Sequence, residues 1–137
     1  MNKISQLPTI FPLMILFGLF GPAQAADLET QTNREGPATV KVIPKNISPG
    51  SKSWDFEVTL STHTVPLDQD MTRAAVLIAG SGKPQAPMSW EGDPPGGHHR
   101  KGVLRFQPPS AMPRQIELQI NGIGDVNKRV FRWPLSK

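Results

Sequence analysis

The sequence predicts an all-β protein, an immunoglobulin-like antiparallel β-sandwich of about seven strands. Several short segments alternate apolar and polar residues, which is typical of strands with one buried face. The 137 residues include 15 prolines and 12 glycines, and these breakers separate the alternating segments at short intervals. No amphipathic stretch is long enough for a substantial helix. The length suits one domain.

The first 25 residues have the pattern of a secretory signal peptide. Lys3 precedes an apolar run over 10–20, and small residues then lead to an expected cleavage site after Ala25. The run covers 11 residues and is interrupted by Pro12, whereas a spanning helix needs roughly 20. We therefore expect a periplasmic or secreted protein with no membrane span after cleavage.

Residues 26–37 are polar, lack periodicity and end in Gly-Pro, which predicts a flexible leader before a sandwich domain over 38–137. The first strand of the domain is expected where Ala38, Val40 and Val42 alternate with polar residues, at an edge of a sheet.

The clearest strand is 54–60, where Trp54, Phe56, Val58 and Leu60 share one face. The continuous apolar run 73–79 predicts a central strand, because breakers close it after a strand's length. Further strands are expected over 85–90, 103–107, 115–119 and 130–135. Trp54 or Trp90 is expected to fill the centre of the core.

The chain contains no cysteine. This excludes disulfides, thiolate metal sites, a cysteine nucleophile and the lipid-acceptor cysteine of a bacterial lipoprotein. The folded domain must therefore depend on its apolar core alone.

The formal net charge of +4 falls to +3 once Lys3 leaves with the signal peptide. Basic residues are interspersed with acidic ones and no recognition helix is expected, so we predict no nucleic-acid partner.

The three histidines lie near predicted strand ends, where loops of a sandwich gather. If His63, His98 and His99 converge, their imidazoles suit copper or zinc, with Met71, Glu91 or Asp93 as further ligands. Adjacent residues of an extended chain point in opposite directions, so one of His98 and His99 would face away. The alternative is that these histidines have structural roles and that no cofactor is bound.

A long loop after Trp90 is the candidate binding surface. Prolines and glycines shape it, and its end carries positive charge, as expected for binding loops on rigid sandwiches. The residues predicted to bind are Trp90, Glu91, His98, His99, Arg100 and Lys101.

Catalytic residues are not predicted. Asp68 and Asp70 are spaced as a carboxylate pair but also fit a solvated turn, and no serine lies in a nucleophile-elbow sequence. We therefore expect a protein that is not an enzyme, although a Ser-His contact in a concave pocket would favour hydrolysis.

Three segments carry a resemblance to known proteins: Trp-Asp-Phe-Glu-Val at 54–58, Thr-His-Thr at 62–64, and Gly-Gly-His-His-Arg-Lys-Gly at 96–102. Together they make the chain resemble a group of small exported bacterial proteins of unknown function. The resemblance implies a single β-sandwich in the bacterial envelope and implies no activity.

The sequence thus predicts a non-enzymatic binding or accessory protein whose partner is an envelope protein or a glycan. The alternative is a periplasmic transition-metal binding protein that uses the loop histidines.

Overall fold

The computed structural model of the chain describes residues 28–135 together with Gly18. Apart from Gly18, the predicted signal peptide lies outside the described residues. The elements in chain order are β1 (Gln31–Asn33), β2 (Ala38–Lys45), β3 (Trp54–Thr62), α1 (Met71–Ala74), β4 (Ala75–Ala79), β5 (Ser89–Gly92), β6 (His99–Phe106), β7 (Gln115–Ile123) and β8 (Val126–Pro134).

The strands form two antiparallel sheets, one with the order β1-β2-β3-β6-β5 and one with the order β4-β7-β8. The predicted fold class, an immunoglobulin-like antiparallel β-sandwich, is confirmed, with eight strands in the described residues instead of about seven. None of the helices in this part of the chain is both apolar and long enough to cross a bilayer.

The core between the sheets is aromatic. The alternation in β3 buries Trp54 and Phe56, and the Phe56 ring lies 5.7 Å from both the Phe106 ring and the Trp133 ring, centroid to centroid. Aromatic pairs at this spacing contribute beyond their buried area. Of the two tryptophans proposed for the centre, Trp54 is 1% exposed, whereas Trp90 is only half-buried, on strand β5 at the edge of its sheet.

Strand β2 is an inner strand, contrary to the expected edge position, because β1 pairs along it. Three of the residues expected to be a polar leader form β1. Side chains of this segment also join the two sheets: Gln31 Nε2 donates to the Arg132 carbonyl at 2.6 Å, and Asn33 Oδ1 accepts from the buried Arg129. The N-terminal segment therefore closes one side of the sandwich.

The apolar run 73–79 divides into a helical turn and an edge strand, contrary to the central strand expected. Helix α1 begins because the Asp70 side chain accepts from Thr72 N at 2.9 Å, a standard N-cap. Further on, the segment predicted as a strand at 85–90 divides too. Gln85 forms an isolated bridge with Leu77, and β5 pairs with β6.

The strand directions place the connecting loops at two ends of the sandwich. We call the end formed by 34–37, 63–70, 93–98 and 124–125 the histidine end, since it carries His63 and His98 and adjoins His99. We call the end formed by 46–53, 80–88 and 107–114 the acid-free end, because these three loops contain no Asp or Glu.

Candidate functional site

The three histidines border one open pocket of about 380 Å³ at the histidine end. The pocket lies where β2 begins, β3 ends and β6 begins. We call it the histidine groove, and its lining residues are Pro37, Thr39, Ser61, Thr62, His63, His98 and His99.

Strand register places one wall of the groove. Thr39 pairs with Ser61 and Ser61 pairs with His99, so the three form one row across β2, β3 and β6. Their buried neighbours along each strand face the core, so this row faces solvent. The next row, Lys41 with Thr59 and Lys101, extends the same polar face along the sheet.

Thr62 holds the base of the groove together. Its hydroxyl donates to the Pro37 carbonyl at 3.0 Å and accepts from Thr64 N at 3.2 Å. Its backbone N–H donates to the His98 carbonyl at 2.9 Å. Thr62 is buried, and these bonds therefore tie the turn that carries His63 to the loop that carries His98.

Both neighbouring histidines line the groove, whereas one was expected to face away if the pair were extended. Strand β6 begins at His99, so His98 still belongs to the preceding loop and does not follow the strand alternation. Gly96 and Gly97 turn that loop with φ of 114° and 71°, conformations that glycine adopts without steric penalty.

Arg100, predicted as part of a positive loop tip, is 1% exposed. It lies on the inward side of β6 opposite Leu60, and its Nη1 donates to the carbonyls of Leu67 at 3.0 Å and Gln69 at 2.9 Å. Its Nη2 donates to the Asp93 carbonyl at 3.3 Å. Arg100 thus anchors the two loops of the histidine end and is not available to a partner.

Burial lowers the pKa of Arg100 from its ordinary value, and the nearby Asp93, Asp68 and Asp70 carboxylates oppose that shift. An arginine remains protonated in spite of such burial. The site is therefore a buried cation held by backbone carbonyls.

Trp90 has a structural position as well. Its indole Nε1 donates to the Asp93 carbonyl at 3.0 Å, and the Arg100 guanidinium carbon lies 5.6 Å from its ring centre. A Cβ added at Gly102 would come within 2.5 Å of the ring, so the ring lies directly on that glycine. The predicted binding residue Trp90 supports the loop and does not project from it.

Glu91 and Lys101, also predicted to bind, point to solvent in ion pairs. Glu91 Oε2 lies 2.9 Å from Arg105 Nε, and Lys101 Nζ lies 3.1 Å from Glu57 Oε1. Of the six predicted binding residues, His98 and His99 alone line the groove.

The described residues contain no group of three His, Asp or Glu side chains placed to hold a metal ion. The additional ligands considered for copper or zinc are engaged elsewhere. Met71 is buried in the core, Glu91 pairs with Arg105, and Asp93 Oδ2 accepts from Lys101 N at 2.9 Å. Any metal in the groove would depend on rotation of the exposed imidazoles.

A serine–histidine contact is present in the groove, where Ser61 Oγ lies 3.3 Å from His99 Nδ1. Nucleophilic catalysis also needs a group that orients the imidazole and donors for an oxyanion. Within residues 28–135, no carboxylate forms an ion pair or hydrogen bond with His99. Asp70 is engaged as the cap of α1, where the Thr72 hydroxyl and backbone N–H lower its pKa.

Sequence reasoning missed the hydroxyl residues of the groove, Thr39, Ser61 and Thr62. The signal for Ser61 was present, because the alternation of β3 continues past Leu60 and turns Ser61 outward beside His63. The pairing of Ser61 with Thr39 and His99 required the register between strands, which no local pattern contains.

Comparison of the chain with protein-family models, with curated proteins and with solved structures gave no match.

Proposed function

We propose that the protein is a non-enzymatic binding module, exported to the bacterial envelope, that holds its partner in the histidine groove. One observation carries this proposal. Side chains from three separate stretches of chain, near Thr39, His63 and His98, border one open groove on a rigid sheet. Donors and acceptors converging in one pocket are the usual feature of a binding site.

The proposed partner is an envelope protein in preference to a glycan. Imidazoles and hydroxyls can pair with the backbone and polar side chains of an extended protein segment. Sugar rings are usually held by stacking on an exposed tryptophan, tyrosine or phenylalanine ring, and no tryptophan or phenylalanine side chain of the described residues is exposed.

A photo-crosslinking amino acid at Thr39 tests this in cells of the native source. The expected result is a discrete, protease-sensitive adduct that disappears when His98→Ala is added. The same crosslinker at Lys128, an exposed position on the other sheet, is the matched control. Equal adducts from Thr39 and Lys128, or none from Thr39, would refute the proposal, and a protease-resistant adduct would replace the protein partner with a glycan.

Export is the part of the proposal that rests on sequence alone. Intact mass of the protein purified from the envelope fraction should begin at Ala26. A mass that begins at Met1 in exported material would contradict cleavage.

Transition-metal binding is a second candidate function, favoured because His63, His98 and His99 border the same pocket. Calorimetric titration of metal-free protein with Cu(II) and Zn(II) tests it. A one-to-one site lost in His63→Ala and in His99→Ala would support a metal centre. Weak uptake that His63→Ala leaves unchanged would exclude it.

A further inference from the structure

The acid-free end combines positive charge with exposed apolar side chains. Its loops carry the exposed cations Lys52, Lys83 and Arg114, and none of these forms an ion pair within the described part of the chain. The nearest acidic residue in the sequence, Asp55, is 4% exposed and paired with Arg105 at 2.9 Å. Within the described residues, none of these three loop cations is therefore neutralised by an ion pair.

Both exposed large hydrophobic residues of the described chain lie at this same end. Met88 is 53% exposed and Met112 is 43% exposed. Gln85 Nε2 donates to the Gln107 carbonyl at 2.7 Å, so the loops that carry the two methionines are joined. Exposed apolar side chains concentrated at one place on a surface mark an interaction site.

A recess of about 470 Å³ opens between these loops. Met112, Pro113 and Arg114 form one wall, and Ala79, Gly80 and Ser81 form the other. An arginine at the rim of a partly apolar recess matches a lipid, whose phosphate is anionic and whose acyl chains are apolar.

We propose that the acid-free end docks on an anionic phospholipid bilayer. Lys52, Lys83 and Arg114 contact headgroup phosphates, while Met88 and Met112 enter the boundary between headgroups and acyl chains. A polysaccharide would satisfy the cations but would leave the methionines without an apolar partner, and this favours the bilayer. Six prolines shape the three loops, so little flexibility is lost on docking.

Flotation with vesicles of equal parts phosphatidylglycerol and phosphatidylcholine tests the proposal. Lys52→Gln/Lys83→Gln/Arg114→Gln should lower the partition coefficient roughly a hundredfold at low salt, given the usual contribution of a cation near an anionic surface. Met88→Ser/Met112→Ser should lower it about tenfold. Pure phosphatidylcholine vesicles should bind the wild type much more weakly.

The matched control neutralises three exposed cations elsewhere, as Arg34→Gln/Arg73→Gln/Lys128→Gln, and should retain most of the binding. Equal losses in the two triple variants would show a general charge effect and overturn the proposal. A wild type that does not float with anionic vesicles would overturn it as well.

Because the chain lacks cysteine, a polarity-sensitive dye can be placed at Met88→Cys, Met112→Cys or His63→Cys alone. Vesicles should shift the emission of the first two labels to the blue and leave the label at 63 unchanged. If the label at 63 shifts equally, or if dextran sulfate binds as tightly as vesicles with no shift at 88 or 112, the bilayer proposal fails. The docking variants all lie outside the histidine groove, and His63 serves only as the position of the control label, so the outcome at the acid-free end is independent of the proposed function.

Discussion

The two ends of the sandwich are held together by different means. At the histidine end, the buried Arg100 guanidinium ties loops 63–70 and 93–98 through three backbone carbonyls. At the acid-free end, loop 46–53 is held by the buried Ile47 and by the bond from Trp54 Nε1 to the Ser48 carbonyl at 3.2 Å. An internal cation thus organises one end, while the other keeps its loop cations in solvent. The same residue type, arginine, is buried at position 100 and exposed at position 114, where it forms no ion pair within the described residues.

Arg100→Ala should have the largest effect and tests the comparison directly. It leaves the carbonyls of Leu67, Gln69 and Asp93 without their charged donor, which is expected to lower the free energy of unfolding by about 3 kcal/mol. Urea denaturation measures this. Arg114→Ala at the acid-free end should change it by less than about 0.5 kcal/mol. Similar losses for both variants would contradict the difference drawn between the ends.

Gly102→Ala should also destabilise the histidine end, in this case by displacing the Trp90 ring that packs beside Arg100. The added Cβ would meet the Trp90 ring at 2.5 Å, and the ring must then move away from Arg100, at an expected destabilisation of about 2 kcal/mol. Lys101→Ala, one residue away on the outer face, serves as the control with an effect below about 1 kcal/mol. If Gly102→Ala unfolds at the wild-type urea concentration, Trp90 does not support this end.

Pro109→Ala tests how much the loop at 107–114 of the acid-free end contributes to stability. Its loop depends on local chain stiffness, and loss of a proline increases the freedom of the unfolded chain, for an expected destabilisation of about 0.5–1 kcal/mol. Urea denaturation beside the neighbouring Ser110→Ala variant measures the difference. If Pro109→Ala lowers the free energy of unfolding as much as Arg100→Ala does, the loop at 107–114 contributes to the stability of the whole domain and its effect is not limited to local stiffness.

Asp70→Asn, at the histidine end, should have the smallest effect on the free energy of unfolding. The effect should be visible in how that free energy depends on pH. Hydrogen bonds from Thr72 lower the pKa of Asp70 in the folded state, so its carboxylate stabilises the fold above the unfolded pKa. That stability is lost as the pH falls through the folded pKa. The stability difference between wild type and Asp70→Asn should therefore narrow below about pH 4. Thermal denaturation across this range measures it, and Thr72→Ala should reproduce part of the change. A difference that widens on acidification would rule out the cap as its cause.

Local patterns were sufficient for most of the fold. The alternation in 54–60 predicted β3 because apolar side chains at every second position need a buried face. Local patterns were insufficient, however, to predict the order of the strands in the sheets. The expected edge position of β2 was wrong because only the partner β1, which has no apolar signature, makes β2 an inner strand.

The candidate site shows a similar division. The alternation that places Leu104 and Phe106 inward, continued back along β6, also places Arg100 inward and His99 and Lys101 outward. Arg100 could therefore have been recognised as buried from the sequence. Its partners could not, because the carbonyls of Leu67 and Gln69 are 31 to 33 residues away and reach it only through the packing of a loop.

The N-terminal segment meets the last strand, β8, along one side of the sandwich, and we call this contact the seam. It bears on the order in which the chain can fold as it is made. Trp133 Nε1 donates to the Glu29 carbonyl, 104 positions earlier in the sequence. The first described residues therefore cannot complete their contacts until nearly the last described residues are present. A chain that emerges from its N-terminus cannot close this seam until β8 has followed. Until β8 has been made, the side of the sandwich that this contact closes therefore remains open.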